Sequence, residues 1–178
     1  MAGDERLRLF CALQLPDEAR AALAAWAARE LRGGRLVAAD ALHVTLAFLG
    51  SRPAGDVPAI VRELRAAAGA ASALVLHPQR YRETRSVGMI VLEDPGGAAT
   101  ALAADLQQRL EGLGVYRREQ RPWLPHVTVI RFRERVGARP RLANMRSITV
   151  VRSALYRSSL GPGGARYDVL ETAALGGN

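Results

Sequence analysis

The sequence predicts an α+β fold made of two related lobes facing each other across a cleft. Three observations carry this expectation. Strand-like and helix-like segments alternate along the whole chain of 178 residues. No low-complexity linker or tail of like charge divides it, so residues 1–178 read as one domain. One strand motif also occurs twice, as His43-Val44-Thr45-Leu46 and as His126-Val127-Thr128-Val129, 83 residues apart.

The elements follow in order. Leu7–Leu13 reads as a strand. Pro16, Asp17 and Glu18 open a helix, because proline and acids suit a first turn. Leu23, Trp26, Ala27 and Leu31 continue that helix, and Gly33-Gly34 ends it. A short strand is expected at Leu36–Ala38 and a strong one at His43–Leu49, broken by Gly50, Pro53 and Gly55. Val57, Ile60, Val61 and Leu64 mark a second helix. Leu74–Tyr81 and Val87–Leu92 form a hairpin-like pair, followed by a turn at Asp94–Gly97. A third helix carries Leu102, Leu106, Leu110 and Leu113 along one face. Then come an arginine-rich loop, a strand at His126–Phe132, a second arginine-rich loop, and strands at Ser147–Leu155 and Tyr167–Leu175. Three helices and eight strands result.

Composition narrows the function. Apolar residues make up 49% and charged residues 24%, which excludes a mainly disordered chain. No apolar run approaches the roughly 20 residues a bilayer span needs, and the N-terminal segment carries no secretory signature. The single cysteine, Cys11, excludes an internal disulfide framework and fits a cytoplasmic protein. All 25 basic residues are arginine, and the net charge is +8. Ala, Gly and Arg rise together in GC-rich genomes, which explains the missing lysine but not the basic excess. That excess favours a polyanionic partner, and the guanidinium fork suits phosphate.

The repeated motif supplies the chemistry. Residues i and i+2 share one face of a strand, so each copy presents an imidazole and a hydroxyl together while its valine packs behind. Two of the three histidines are used this way. A neutral imidazole and a protonated one make a general base and a general acid. The Thr45 and Thr128 hydroxyls can hold the non-bridging oxygens of a phosphate. Opening or closing of a phosphodiester by in-line attack fits this set best. A catalytic metal is the competing reading, but catalytic zinc takes three protein ligands. His77 lies outside the pattern, and no carboxylate stands at a completing spacing. No Gly-rich nucleotide loop follows a strand. No metal and no cofactor are therefore expected.

HVTLAFLG at His43–Gly50 and RPWLPHVTVIR at Arg121–Arg131 resemble the two signatures of the two-histidine phosphoesterases. More narrowly, the chain resembles the RNA 2′,3′-cyclic phosphodiesterase family, also called 2′-5′ RNA ligases. RLRLFCALQLPDEAR and LYRSSLGPGGARYDVLE are similar to that family's opening strand and helix and its last hairpin. The resemblance implies a bilobal α+β fold with pseudo-two-fold symmetry. In it, two antiparallel-rich sheets flank a central cleft lined by the motif strands, with helices outside. It implies hydrolysis of RNA 2′,3′-cyclic phosphate ends, such as those of tRNA fragments, to 2′-phosphates by a monomer, and the related 2′-5′ joining reaction. His43, His126, Thr45 and Thr128 become the catalytic residues. The symmetric motifs leave acid and base interchangeable; His43 is taken as acid and His126 as base.

The resemblance also places Phe48 and Arg131 beside the substrate's nucleobase. Strict alternation puts both on the face opposite the histidines, so a bulge, twist or strand end must re-aim them. Many relatives carry a small residue at the position of Ile130, and a bulky one there would narrow the base pocket. Trp123, Tyr156 and Tyr167 are weaker candidates that burial explains equally well. The loops Arg117–Arg121 and Arg131–Arg141 are expected to flank the cleft and hold the RNA backbone. A non-catalytic RNA-end binder and a phosphodiesterase for a small cyclic phosphate remain as alternatives.

Overall fold

The computed structural model describes residues 5–177; the start of the charged N-terminal segment, Met1–Asp4, lies outside them. In chain order the elements are β1 (Arg6–Gln14), α1 (Asp17–Glu30), β2 (Arg35–Leu36), β3 (His43–Pro53) and α2 (Val57–Ala70). β4 (Leu74–Glu83), β5 (Val87–Glu93), α3 (Ala98–Gly112) and β6 (His126–Arg131) follow, then β7 (Ile148–Val150), β8 (Arg152–Gly161) and β9 (Gly164–Ala174).

Two antiparallel sheets result. One has the order β3-β1-β8-β9 and the other β2-β6-β5-β4-β7. Each holds one copy of the repeated motif, on β3 and β6, and these two strands approach each other where the sheets meet. The helices exchange lobes. α1 leaves the first sheet and packs against β2 and β6 of the second, whereas α3 leaves the second sheet and packs with α2 against the first. Leu23, Trp26 and Ala27 of α1, Ile60 and Leu64 of α2, and Leu102, Leu106 and Leu110 of α3 are buried at helical spacing. Each such large side chain contributes about 1.5–3 kcal/mol of burial. These stripes join residues from both sheets in one continuous core.

Local chemistry explains the boundaries. The expected turn at Asp94–Gly97 opens α3: the Asp94 carboxylate accepts hydrogen bonds from the Ala99 and Thr100 amides at 3.1 and 2.8 Å. Gly50 does not break β3, which runs on to Pro53: Gly50 pairs with Leu9 of β1, and a register shift beside it leaves Leu49 as an extra residue. The expected strand Ser147–Leu155 is two strands. Ile148–Val150 pairs with β4 in one sheet, and the chain then crosses at half-exposed Val151 to lie between β1 and β9 in the other. Both pieces carry buried residues, so their joint apolar pattern conceals the crossing. β8 and β9 extend toward each other beyond the expected strand ends and meet in a two-residue turn, with Gly161 paired to Gly164.

Candidate active site

Both motifs carry a bulge at the same place. On β3, Thr45 pairs with Ala12 and Ala47 with Cys11, leaving Leu46 as an extra residue. On β6, Thr128 pairs with Met89 and Ile130 with Gly88, leaving Val129 extra. One inserted residue reverses the alternation beyond it. Phe48 and Arg131 thereby return to the face of the histidines, against strict alternation and as the family resemblance required. Phe48 is 48% exposed and Arg131 is exposed, whereas Leu46 and Val129 are buried. The guanidinium of Arg8 stands 4.8 Å above the Phe48 ring. Ile130 falls on the core side and is 1% exposed. It fills the space left by Gly34 and Gly88, where any Cβ would collide with it, so it does not narrow a pocket on the cleft face.

A bulge frees backbone carbonyls, and three at these bulges find donors outside the paired strand. The Gln107 side-chain amide, buried on α3, donates to Leu46 O at 2.8 Å, and the Trp123 indole donates to Thr45 O at 3.0 Å. The Val37 amide donates to Val129 O at 2.9 Å. The reading from sequence missed Gln107. Its signal was a polar residue in the apolar stripe of Leu102, Leu106 and Leu110. Trp123 proves to tie the loop before β6 to β3.

The two imidazoles are locked alike. His43 Nδ1–H donates to Ala41 O at 2.8 Å, and His126 Nδ1–H donates to Leu124 O at 2.8 Å. In both cases the acceptor lies two residues upstream, which leaves Nε2 as the chemically available nitrogen. Thr45 Oγ1 sits 3.1 Å from His43 Nε2 and donates to it when the ring is neutral. His43 packs against Phe10 at 4.8 Å and edge-on to Tyr167 at 5.4 Å, and Phe10 stacks on Tyr156 at 5.0 Å. Phe10, hidden in an apolar run, was not legible as a site residue. Burial among these rings pushes the His43 pKa down to about 4; the Ala41 carbonyl opposes this, and the nearby His126 and Arg131 charges reinforce it. The Cys11 thiol is buried and pushed up to about 12, so it acts as a small apolar residue.

A groove of about 330 Å³ adjoins His43 through its neighbours Ala41 and Tyr167 and is lined also by Arg35, Asp40, Arg131 and Arg166 among others, while neither histidine lines it. His77 lies elsewhere, paired with Glu93 between β4 and β5. Among the described residues, no three His, Cys, Asp or Glu side chains gather into a metal-binding group. The arginine loops are partly committed to the protein itself. Arg118 pairs with Glu111 at 3.6 Å, Arg121 with Glu119 at 2.6 Å, and Arg135 with Glu83 at 3.6 Å. The Glu83 carboxylate, 2% exposed, also accepts from the Gly137 and Ala138 amides and from Tyr81 Oη. It pins the second loop to the β4–β5 hairpin.

Two lobes, each offering a locked imidazole and a neighbouring hydroxyl to one cleft, define a two-histidine phosphoesterase. The model of the 2′-5′ RNA ligase superfamily matches residues 15–157, and the chain belongs to that family. It is 32% identical to the RNA 2′,3′-cyclic phosphodiesterase of Escherichia coli (strain K12), covering 96% of this chain and 98% of that one. It is 33% identical to the protein of the same name from Thermus thermophilus, covering 96% and 91%. The crystal structure of E. coli LigT complexed with 3′-AMP superposes with a TM-score of 0.84 at 29% identity, covering 96% of this chain and 99% of that one. That of TT0787 from T. thermophilus does so with a TM-score of 0.83 at 31% identity, covering 96% and 99%.

Proposed function

We propose that this chain hydrolyses RNA 2′,3′-cyclic phosphate ends to 2′-phosphates by acid–base catalysis between His43 and His126. The names of the E. coli and T. thermophilus relatives support the reaction class. The observation that carries the residue assignment is the matched locking of the two rings, each with Nδ1 spent on a backbone carbonyl and Nε2 left for chemistry.

Nε2 of His126 takes a proton from water, the water oxygen bonds to phosphorus, the P–O3′ bond breaks, and O3′ receives a proton from Nε2 of His43. O2′ keeps the phosphate. The Thr45 hydroxyl turns from His43 to a non-bridging oxygen, matched by Thr128 from the other lobe. His43 is neutral in the free cleft, and the arriving phosphate charge favours its protonation against the burial and the Arg131 charge that hold its pKa down. Phe48 and Arg131 flank the base as sequence-tolerant stacking partners. An RNA 5′-hydroxyl replacing water makes a 2′-5′ joint by the same bond changes. The two lobes work as one unit over residues 1–178, as a monomer in the cytoplasm, and need no metal or cofactor.

Phosphorus NMR of a short RNA ending in a 2′,3′-cyclic phosphate tests this reading. The expected product is the 2′-phosphate, formed equally in EDTA. A 3′-phosphate product, loss of turnover in EDTA, or binding without turnover would each contradict it.

A further inference from the structure

Arg35 and Arg131 face each other directly across the β2–β6 pair. Cross-strand partners share a face of their sheet, so Arg35 joins Arg131 on the cleft side. Like charges placed opposite one another destabilise a strand pair, and β2 is only two residues long. Among the described residues, neither guanidinium has a carboxylate within ion-pair distance. Asp40 and Asp168 line the groove on one side and Glu134 the cavity on the other, yet none of the three forms an ion pair with either arginine. Arg35 Nη1 instead donates to Gly163 O at 2.9 Å, across the cleft at the tip of the β8–β9 hairpin. The approach is so close that a Cβ on Gly164 would fall on the Arg35 guanidinium. Arg35 is thus held at the mouth of the groove, with donors remaining beyond the one spent on Gly163.

We propose that Arg35 and Arg131 together seat the phosphodiester immediately upstream of the terminal cyclic phosphate. This inference rests on the phosphodiesterase reading above and goes beyond it by assigning a second phosphate site and a preference for oligonucleotides over mononucleotides. An anion between the two guanidinium groups relieves their repulsion and accepts from both forks. Arg131 can stack its planar face on the base while its edge reaches the phosphate. The upstream linkage is the 5′-phosphate of the terminal nucleoside, and the groove that adjoins His43 at Ala41 and Tyr167 gives the strand a path to the two arginines.

The test compares adenosine 2′,3′-cyclic phosphate with the same molecule bearing a 5′-phosphate, and with the dinucleotide ending in a cyclic phosphate. The unsubstituted protein should favour the two extended substrates by about tenfold in kcat/KM at low salt, the scale of a hydrogen bond to a charged group. Arg35→Ala should bring the ratio close to one, and Arg35→Lys should leave an intermediate ratio because it keeps charge but loses the fork. An unchanged ratio in Arg35→Ala overturns the proposal. So does an equal loss on all three substrates, which marks Arg35 as a structural latch to Gly163. Turnover of the mononucleotide without any preference in the unsubstituted protein overturns the seat alone. Failure to hydrolyse any of the three overturns the phosphodiesterase reading beneath it.

Discussion

His43 concentrates the electrostatics of the site. Its ring gives one N–H to Ala41 O and receives the Thr45 hydroxyl on the other nitrogen, an arrangement available only to the neutral form. With a pKa of about 4, it stays neutral at physiological pH in the free protein. Proton titration by NMR should find no His43 ionisation between pH 5.5 and 8, and an upward shift when a nucleoside 2′-phosphate binds. Titration of the free ring near 6.5 would contradict the packing argument. The shift also has a consequence for stability. The unfolded chain protonates His43 near 6.5 and the folded chain near 4, so this stability is whole above pH 6.5. It is lost as pH falls toward 4, by on the order of 3 kcal/mol. The His43→Gln variant should show a flatter acid limb in denaturant melts over that window. An unaltered limb would argue against it.

At the scale of elements, the bulges decide what the motifs can do. The paired His and Thr residues were legible in the sequence because they repeat and share a face by simple alternation. The return of Phe48 and Arg131 to that face was not, because an inserted residue is invisible in a periodic pattern. Only the register, Thr45 with Ala12 but Ala47 with Cys11, reveals it. The crossing of the chain between sheets at Val151 was hidden for a related reason, since strands buried in either sheet read alike. Glu83 closes a strand in a polar stretch, and its role as a buried anchor appears only when the loop at Gly137 folds onto it. Gln107 bears on the bulge directly. Gln107→Leu leaves the Leu46 carbonyl buried without its partner, which costs about 1–3 kcal/mol. Thermal melts should register that loss, and kcat should fall more than KM rises as β3 loosens. A variant as stable and active as its parent would show that Gln107 does not hold the bulge.

Across the whole molecule, a net charge of +8 and a cleft bordered by Arg35, Arg131 and Arg166 favour a long polyanion. The arginine loops contribute less uniformly than their composition implies. Arg118, Arg121 and Arg135 are paired with carboxylates, whereas Arg133 lines a cavity with Arg35 and Arg131. RNA affinity should fall steeply with salt, because each neutralised phosphate releases counterions. The Arg133→Ala, Arg139→Ala double variant should have a shallower log–log salt slope than the unsubstituted protein on the same RNA. Equal slopes would assign those arginines to loop solvation.

The central claim is that two histidines, one from each lobe, perform the reaction as acid and base. Single-turnover hydrolysis of an RNA ending in a 2′,3′-cyclic phosphate should be compared for the unsubstituted protein, His43→Ala and His126→Ala, with circular dichroism confirming that each is folded. Loss of one proton-transfer group should slow hydrolysis by about 10²–10⁴-fold in each variant. Near-parental hydrolysis by either folded variant would contradict the two-histidine mechanism.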